Sequence, residues 1–297
     1  MEFWKRLAEM ALVRKLVYAL VGIVSYPGLV LVNKLKIRGT EHIENLPKKN
    51  VLFVSNHQTY FADVITFLHI FCAVKWRKRN RLGVPYYLLN PFTRVYYVAA
   101  EETMKSSWIS RLFTLAGAIT VRRTWKKDGG EVRRGLDPSD TRKIHRALGK
   151  AWVITFPQGT TKPFAPGRKG TAYIIKLTKP VVIPVVIQGF WRAFDKKGLK
   201  MKKRGVQLSV TFKSPLAIDF EAEPDVLLAV EALELEALEL EALPAVERTM
   251  RGFSVDLLVV DEAAAVPDQD YHGILPALIA TQGEQVLLST PRGKRGF

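Results

Sequence analysis

The stretch VLFVSNHQTYFAD, residues 51–63, carries an apolar run that passes directly into a polar segment. Consecutive apolar residues bounded by polar ones are typical of a strand that is buried on both faces. His57 follows this strand directly, and a carboxylate, Asp63, lies six positions further along. The pair fits a general base with its orienting acid, and it equally fits two polar residues at an ordinary strand-to-helix turn.

Strand-length apolar runs recur along the chain, and segments with helical spacing lie between several of them. This alternation predicts an α/β domain with a largely parallel sheet, flanked by helices on both faces. The runs are VLFVS (51–55), VYYVAA (95–100), AITV (118–121), WVITF (152–156), VVIPVVI (181–187) and VQLSVTF (206–212).

The 297 residues suffice for one large α/β domain or two smaller ones, and their charge is unevenly divided. Residues 1–218 carry 40 basic and 12 acidic side chains, whereas residues 219–297 carry 5 and 16. The basic part favours an anionic partner, and nucleic acid and anionic membrane are the two main classes. The sole cysteine, Cys72, excludes an intramolecular disulfide and is typical of a reducing compartment.

The apolar run LVYALVGIVSYPGLVLV, residues 16–32, is about as short as a membrane-spanning helix can be, and Pro27 and Gly28 interrupt it. We predict that residues 1–35 form a bent or two-helix segment lying in one leaflet. A buried core helix is the alternative interpretation of the same run. The basic side chains expected to meet anionic lipid are Lys5, Arg6, Arg14 and Lys15.

The segment TFPQGTTKPFAPGRKGT, residues 155–171, leaves another predicted strand and enters a loop rich in Pro, Gly, hydroxyls and cations. Such a loop could hold a phosphate, although a solvated basic loop has the same composition. The groups that could bind the phosphate are the backbone N–H groups near Gly159 and the side chains of Thr160, Thr161, Lys162, Arg168 and Lys169.

The segment GAITVRR, residues 117–123, is a short predicted strand that ends in two arginines. An arginine at this position can bind a phosphate through two parallel hydrogen bonds, or it can be solvated. Together with His57 and the 155–171 loop, it would supply one base and two anion sites at strand ends of one sheet.

Four ordered motifs in this chain resemble those of the glycerolipid acyltransferase family, of the lysophosphatidic acid acyltransferase type. Their order and spacing agree over about residues 40–215, and the N-terminus resembles the family's membrane-seating helices, extending the resemblance to about 1–218. The matching residues are Asn56, His57 and Asp63; Gly117, Ile119, Val121 and Arg123; Phe156, Pro157, Gly159 and Thr160; and the apolar strand around Pro184.

This chain departs from the family pattern at two positions. The family usually has four residues between the histidine and the aspartate, and here there are five, Gln58 to Ala62. One residue turns a helix by about 100°, so the turn before the helix must absorb the extra residue for Asp63 to face the histidine. The family's loop glutamate is Gln158 here, which keeps the shape and hydrogen bonding but not the charge.

The resemblance implies acyl transfer from an acyl thioester, on coenzyme A or acyl carrier protein, to a hydroxyl of a lysophospholipid such as 1-acylglycerol 3-phosphate. It implies His57 as the general base, Asp63 as its orienting acid and Arg123 as a ligand of the acceptor phosphate. The further substrate-binding residues that it implies are Asn56, Gln158, Gly159, Thr160, Thr161 and Lys162.

The resemblance also sets the expected partners and location of the protein. We expect a 1-acylglycerol-3-phosphate O-acyltransferase-like enzyme on the cytoplasmic face of a membrane. The expected partners are membrane lipid, the lysophospholipid acceptor and the acyl donor. Neither a metal, a further cofactor, nucleic acid nor an obligate protein partner is expected.

The acidic end of the chain has a different character. Residues 231–244, EALELEALELEALP, predict a low-complexity helical linker. The later stretch LLVVDEAA, residues 257–264, is similar to a Walker B strand, and about 252–297 resembles the ATPase of phage terminase large subunits. The whole chain contains no Gly-x4-Gly-Lys-Ser/Thr motif, so ATP hydrolysis is not expected.

These observations divide the chain into four predicted parts. They are a membrane-associated helical segment (1–35), an acyltransferase domain (36–218), an acidic helical linker (219–250) and a partial P-loop NTPase-like fragment (251–297). The alternatives are a non-catalytic, lipid-binding acyltransferase relative and a nucleic-acid-linked ATPase fragment.

A cluster of basic and aromatic residues, KWRKR at 75–79, belongs to none of the four motifs. It could contact lipid headgroups or coenzyme phosphates, or it could be a solvated face. The remaining histidines lack a partner pattern and are expected to be structural or solvated: His42, His69, His145 and His272.

Overall fold

Eleven strands are formed by the residues that the computed structural model describes. Those residues are 11–105, 108–121, 126–127, 130–131, 138–162, 167–221, 257–260 and 284–287. The strands are β1 Lys34–Arg38, β2 Val51–Ser55, β3 Val95–Ala100, β4 Ala118–Val121, β5 Lys126–Lys127, β6 Gly130–Glu131, β7 Trp152–Thr155, β8 Val181–Gln188, β9 Gln207–Phe212, β10 Leu257–Val260 and β11 Glu284–Leu287.

Seven of these strands form one mixed sheet in the order β1-β9-β8-β2-β7-β3-β4. Strands β8, β2, β7, β3 and β4 run parallel to one another. Strand β9 runs antiparallel to β8 and parallel to β1. The predicted largely parallel α/β sheet is therefore confirmed. Strand β1 was not among the predicted runs, because its edge position leaves alternate residues exposed and interrupts the apolar pattern.

Helices cover both faces of this sheet. They are α1 Ala11–Tyr26 with a π-helical continuation Pro27–Val32, α2 Ala62–Lys75, α3 Glu101–Lys105, α4 Trp108–Leu115, α5 Pro138–Leu148, α6 Lys169–Thr178 and α7 Phe190–Ala193. Helices α1, α2 and α4 pack on one face, and α5 and α6 pack on the other. Successive strand residues point to opposite faces, so Phe53 joins the first core and Leu52 joins the second.

An aromatic cluster lies at the centre of the first core. The Phe53 ring lies 4.6 Å from Phe71, 5.4 Å from Trp152 and 6.2 Å from Phe212, centroid to centroid. These rings come from β2, α2, β7 and β9, so the cluster joins the helix that carries Asp63 to three neighbouring strands. Tilted and edge-on ring pairs of this kind add to the stabilisation from apolar burial.

The N-terminal helix is continuous from Ala11 to Val32, with a change from α to π geometry at Pro27. By length and composition this 22-residue stretch is apolar enough to cross a membrane. One side of α1 packs on α2 and α4, whereas Leu12, Leu16 and Leu20 on the other side are exposed. The stretch is therefore amphipathic, rather than a core helix buried all round.

Arg14 does not face lipid as predicted, because its side chain points from α1 into the protein and is buried. Its guanidinium donates to the carbonyl of Val95 at 2.6 Å and to that of Ala116 at 3.3 Å, and it lies 4.5 Å from the centroid of the Tyr96 ring. These contacts make Arg14 an internal link between α1 and the sheet. The predicted lipid-facing Lys5 and Arg6 lie outside the described residues.

The chain divides into two compact units, residues 1–239 and residues 240–297. The first contains the seven-stranded sheet. In the second, β10 pairs in parallel with β11. The predicted helical linker beyond residue 221 and the acidic pair that follows β10 lie outside the described residues.

We predict that Phe53→Ala lowers the free energy of unfolding by about 3–5 kcal/mol, because it opens a cavity within the aromatic cluster. Tyr173→Ala is the matched control, since Tyr173 is exposed on α6 and should cost less than about 0.5 kcal/mol. Denaturant unfolding measures both values. Equal losses for the two variants would contradict the central role of the cluster.

Candidate active site

The carboxyl ends of the parallel strands lie along one edge of the sheet, and two of the predicted motifs continue from strands that end there. His57 follows the end of β2, and Phe156 follows the end of the neighbouring strand β7. Their rings stack with centroids 4.0 Å apart and an interplanar angle of 25°. Two of the motifs therefore meet in one site, as expected for residues at the carboxyl ends of an α/β sheet.

The ring of His57 is hydrogen-bonded to the carboxylate of Asp63, with Nδ1 2.9 Å from Oδ2. The side chain of Asp63 is fully buried, and 11% of the His57 side chain is exposed. A carboxylate oxygen only accepts hydrogen bonds, so in neutral His57 the proton lies on Nδ1 and Nε2 keeps its lone pair. A histidine oriented by a carboxylate in this way is chemically able to accept a proton.

Three further donors hold the carboxylate of Asp63. Oδ2 accepts from the backbone N–H of Gln58 at 2.7 Å and from that of Thr59 at 3.0 Å. Oδ1 accepts from the Thr59 hydroxyl at 2.6 Å. Asp63 is the second residue of α2, where the helix dipole also favours a negative charge. The carboxylate therefore fixes the turn and the histidine together.

The turn between His57 and α2 absorbs the extra residue, because α2 begins only at Ala62. The backbone N–H of Tyr60 donates to the carbonyl of Lys196 at 3.1 Å, and that of Phe61 donates to Lys197 at 2.9 Å. The turn is thus paired with a second loop, and Asp63 faces His57 despite the longer spacing.

Two residues that the motifs do not include make this pairing possible. The Gln58 side-chain oxygen accepts from the backbone N–H of Phe190 at 2.9 Å and ties the turn to the start of α7. Gly198 has a φ of 75°, and a Cβ there would lie 2.5 Å from the backbone nitrogen of Ala62 and 2.8 Å from the Thr59 hydroxyl. Only glycine fits this approach. In the sequence, the one sign that this turn needs such partners was the unusual spacing before Asp63.

In the loop after β7, the guanidinium of Arg168 lies against Gly159. Gly159 has a φ of 61°, and a Cβ there would lie 3.1 Å from Nε of Arg168. The backbone N–H of Arg168 donates to the carbonyl of Pro157 at 3.0 Å, and α6 begins one residue later. An exposed arginine at a helix N-terminus suits an anionic ligand.

Residues 34–188, just over half of the chain, match the family model described as Acyltransferase. The chain belongs to the Acyltransferase family. The crystal structure of the 1-acyl-sn-glycerophosphate (LPA) acyltransferase, PlsC, from Thermotoga maritima is similar to it, with 18% sequence identity and a TM-score of 0.46. That similarity covers 80% of this chain and 88% of that one. No curated protein matches the sequence.

The predicted substrate ligands of this acyltransferase have different positions. Asn56 is buried in the sheet, where its amide accepts from the backbone N–H of Ile187 at 2.9 Å and donates to the carbonyl of Ile187 at 3.0 Å. Through these two bonds it joins β2 to β8. The N–H of Gly159 donates to the carbonyl of Phe156 at 2.9 Å and closes the turn after β7.

The remaining predicted ligands lie on or beyond the loop. The side chain of Lys162 is exposed, and its backbone N–H donates to the Thr160 hydroxyl at 3.3 Å. Gln158 and Thr161 are half-buried. Arg123 lies outside the described residues, although β4, which precedes it, ends at the same edge of the sheet.

An apolar cavity lies between α1, α2 and α4, and its lining includes Ile65 of α2. It is small, with room for roughly one water. Its lining is mainly aliphatic and aromatic and includes Val17, Val21, Gly22, Leu68, Leu88 and Phe113.

Two polar groups beside this cavity are structural. Burial lowers the pKa of His69 to about 4, and its ring nitrogens lie 2.9 Å from the hydroxyls of Ser25 and Tyr87. Burial also raises the pKa of the Cys72 thiol to about 12. Near neutral pH both groups are uncharged, so neither resembles an activated base or nucleophile.

We predict that Asp63→Asn lowers kcat for acyl transfer by roughly 10²- to 10⁴-fold, because an amide no longer fixes the Nδ1–H tautomer of His57. Thr59→Val removes one donor to the carboxylate and should have a smaller effect. Steady-state kinetics measure both variants, with circular dichroism as the check of folding. Full activity of a folded Asp63→Asn protein would contradict the role assigned to this carboxylate.

Proposed function

We propose that this acyltransferase moves an acyl group from an acyl thioester, on coenzyme A or acyl carrier protein, to a hydroxyl of a lysophospholipid such as 1-acylglycerol 3-phosphate. The observation that carries the proposal is the 2.9 Å contact between Nδ1 of His57 and the buried Asp63, in a chain of the Acyltransferase family. The contact leaves Nε2 as a base at the carboxyl edge of the sheet.

In the proposed reaction, Nε2 of His57 takes the proton of the acceptor hydroxyl as its oxygen attacks the thioester carbonyl carbon. The tetrahedral intermediate then collapses, the carbon–sulfur bond breaks, and the leaving thiolate takes the proton from the imidazolium. Asp63 holds the ring and stabilises its charged form. No enzyme nucleophile is needed, which agrees with the buried, protonated state of Cys72.

The acceptor phosphate is assigned to the loop after β7. The Arg168 guanidinium lies against Gly159, and Lys162 of the same loop is exposed. We assign Arg123 to the same phosphate from its motif. Binding the phosphate there would hold the acceptor at the edge of the sheet where His57 lies. The uncharged Gln158 adds no repulsion toward an anion.

The exposed apolar side of α1 would lie in the membrane, and the cytoplasmic face is the proposed side.

We predict that His57→Ala lowers acyl transfer at least about 10³-fold, because it removes the base. The assay uses membranes with 1-acylglycerol 3-phosphate and an acyl-CoA, and it follows the released thiol. His42→Ala is the matched control, since His42 is exposed and lies on a short 3₁₀ turn after β1.

The outcomes separate three functions. Activity that is lost in His57→Ala and kept in His42→Ala supports the proposal. Vesicle binding without thiol release from the parent protein would support a non-catalytic lipid-binding relative instead. A DNA-stimulated ATPase activity would contradict acyl transfer as the main function.

A further inference from the structure

Residues 83–90 run alongside helix α1 in the opposite direction. The Tyr26 hydroxyl donates to the carbonyl of Gly83 at 2.6 Å, and the Lys15 ammonium donates to the Asn90 side-chain oxygen at 2.8 Å. Between these two bonds, Leu88 packs where a Cβ on Gly22 would lie. The absence of a side chain at Gly22 therefore lets the segment lie directly on the helix.

The segment borders the exposed apolar stripe of α1. At about 100° per residue, Lys15, Gly22 and Tyr26 lie within roughly 40° of one another around the helix axis. The stripe fills the adjoining arc of about 120°, beginning roughly 40° away. The exposed residues of the stripe are Leu12, Leu16, Leu20, Ile23 and Val24.

The segment adds apolar side chains of its own to that stripe. Leu89 is 81% exposed, Tyr86 is 60% exposed and Val84 is 55% exposed. Tyr87, between them, is buried and hydrogen-bonded to His69, which also bonds to Ser25 of α1. The 3₁₀ turn Tyr86–Leu89 is therefore anchored from beneath, and its outer side chains project as a fixed part of the surface.

A basic segment, residues 75–81, precedes this surface. Its exposed cations are Lys75, Arg77, Arg79 and Arg81. Only Arg79 forms an ion pair with a carboxylate of the described residues, that of Glu44 at 2.8 Å. The half-exposed Trp76 directs its indole N–H to the carbonyl of Asn90 at 3.5 Å, at the border of the apolar surface. Cations and a tryptophan at the edge of an apolar patch are typical of a membrane interface.

We propose that residues 75–89 are a second membrane-binding element, which inserts Tyr86 and Leu89 into an anionic bilayer beside α1 and places the cations of 75–81 among the lipid headgroups. The occupant is a lipid surface because the apolar patch continues the stripe of α1 and has a cationic border. This inference rests on the proposed membrane-bound function and assigns the basic-aromatic cluster to lipid rather than to coenzyme phosphates.

The first test is Leu89→Asp, with Leu177→Asp as the matched control, because Leu177 is exposed on α6 across the sheet. Co-sedimentation is measured with vesicles of equal parts phosphatidylcholine and phosphatidylglycerol. Leu89→Asp should weaken vesicle binding at least about tenfold, because an apolar side chain that enters the bilayer is replaced by a charge. Leu177→Asp should change binding less than about twofold.

The second test removes charge. The double variant Arg77→Gln and Arg81→Gln should weaken binding to the same vesicles about twentyfold and leave binding to pure phosphatidylcholine unchanged. The control removes the same charge from α5, on the opposite face, through Arg142→Gln and Arg146→Gln. Parent-like binding by Leu89→Asp, or equal losses from the two arginine pairs, would overturn the proposal.

Acyl transfer to a short-chain, water-soluble lysophospholipid distinguishes this proposal from the proposed function. Leu89→Asp should match the parent rate with that acceptor and lose activity only on vesicles. If the parent protein has no transferase activity while the vesicle measurements follow the expected pattern, the proposed reaction is wrong and the membrane element stands. A loss of activity on the soluble acceptor would contradict a role confined to membrane binding.

Discussion

Asp63 is fully buried and accepts hydrogen bonds from two backbone amides, from the Thr59 hydroxyl and from the ring of His57. A buried carboxylate destabilises the fold unless its oxygens accept hydrogen bonds. The turn and His57 supply these donors, so Asp63 holds both of them in place. The helix that carries Asp63 is in turn fixed by the aromatic cluster around Phe53. The position of His57 thus follows from the packing of the central sheet.

The longer spacing between His57 and Asp63 is accommodated by segments that are distant in sequence. The extra residue stays in the turn, where Gln58 bonds to the start of α7 and the backbone pairs with residues 196–197. Gly198 permits the close approach of the two loops. The site is therefore shared between the motif that defines it and a loop almost 140 residues later, which no motif includes.

Much of the fold and part of the site could be predicted from the sequence. The continuous apolar run 51–55 predicted a strand buried on both faces, and it is buried throughout. Sequence reasoning did not place Arg14, because an arginine before an apolar run suits lipid equally well until the sheet beneath it is known. Nor could the sequence show that Asn56 and the Gly159 amide, both predicted to bind substrate, form hydrogen bonds with backbone groups of neighbouring segments.

The sequence by itself determined the alternation of strands and helices, the acyltransferase motifs and the amphipathic start, because residue type and periodicity are local properties of the chain. Only the tertiary structure decided that Asp63 reaches His57, that Arg168 lies against Gly159 and that residues 83–90 extend the apolar side of α1. Each of these contacts joins different segments of the chain, and hydrogen bonding and close packing in three dimensions select such partners.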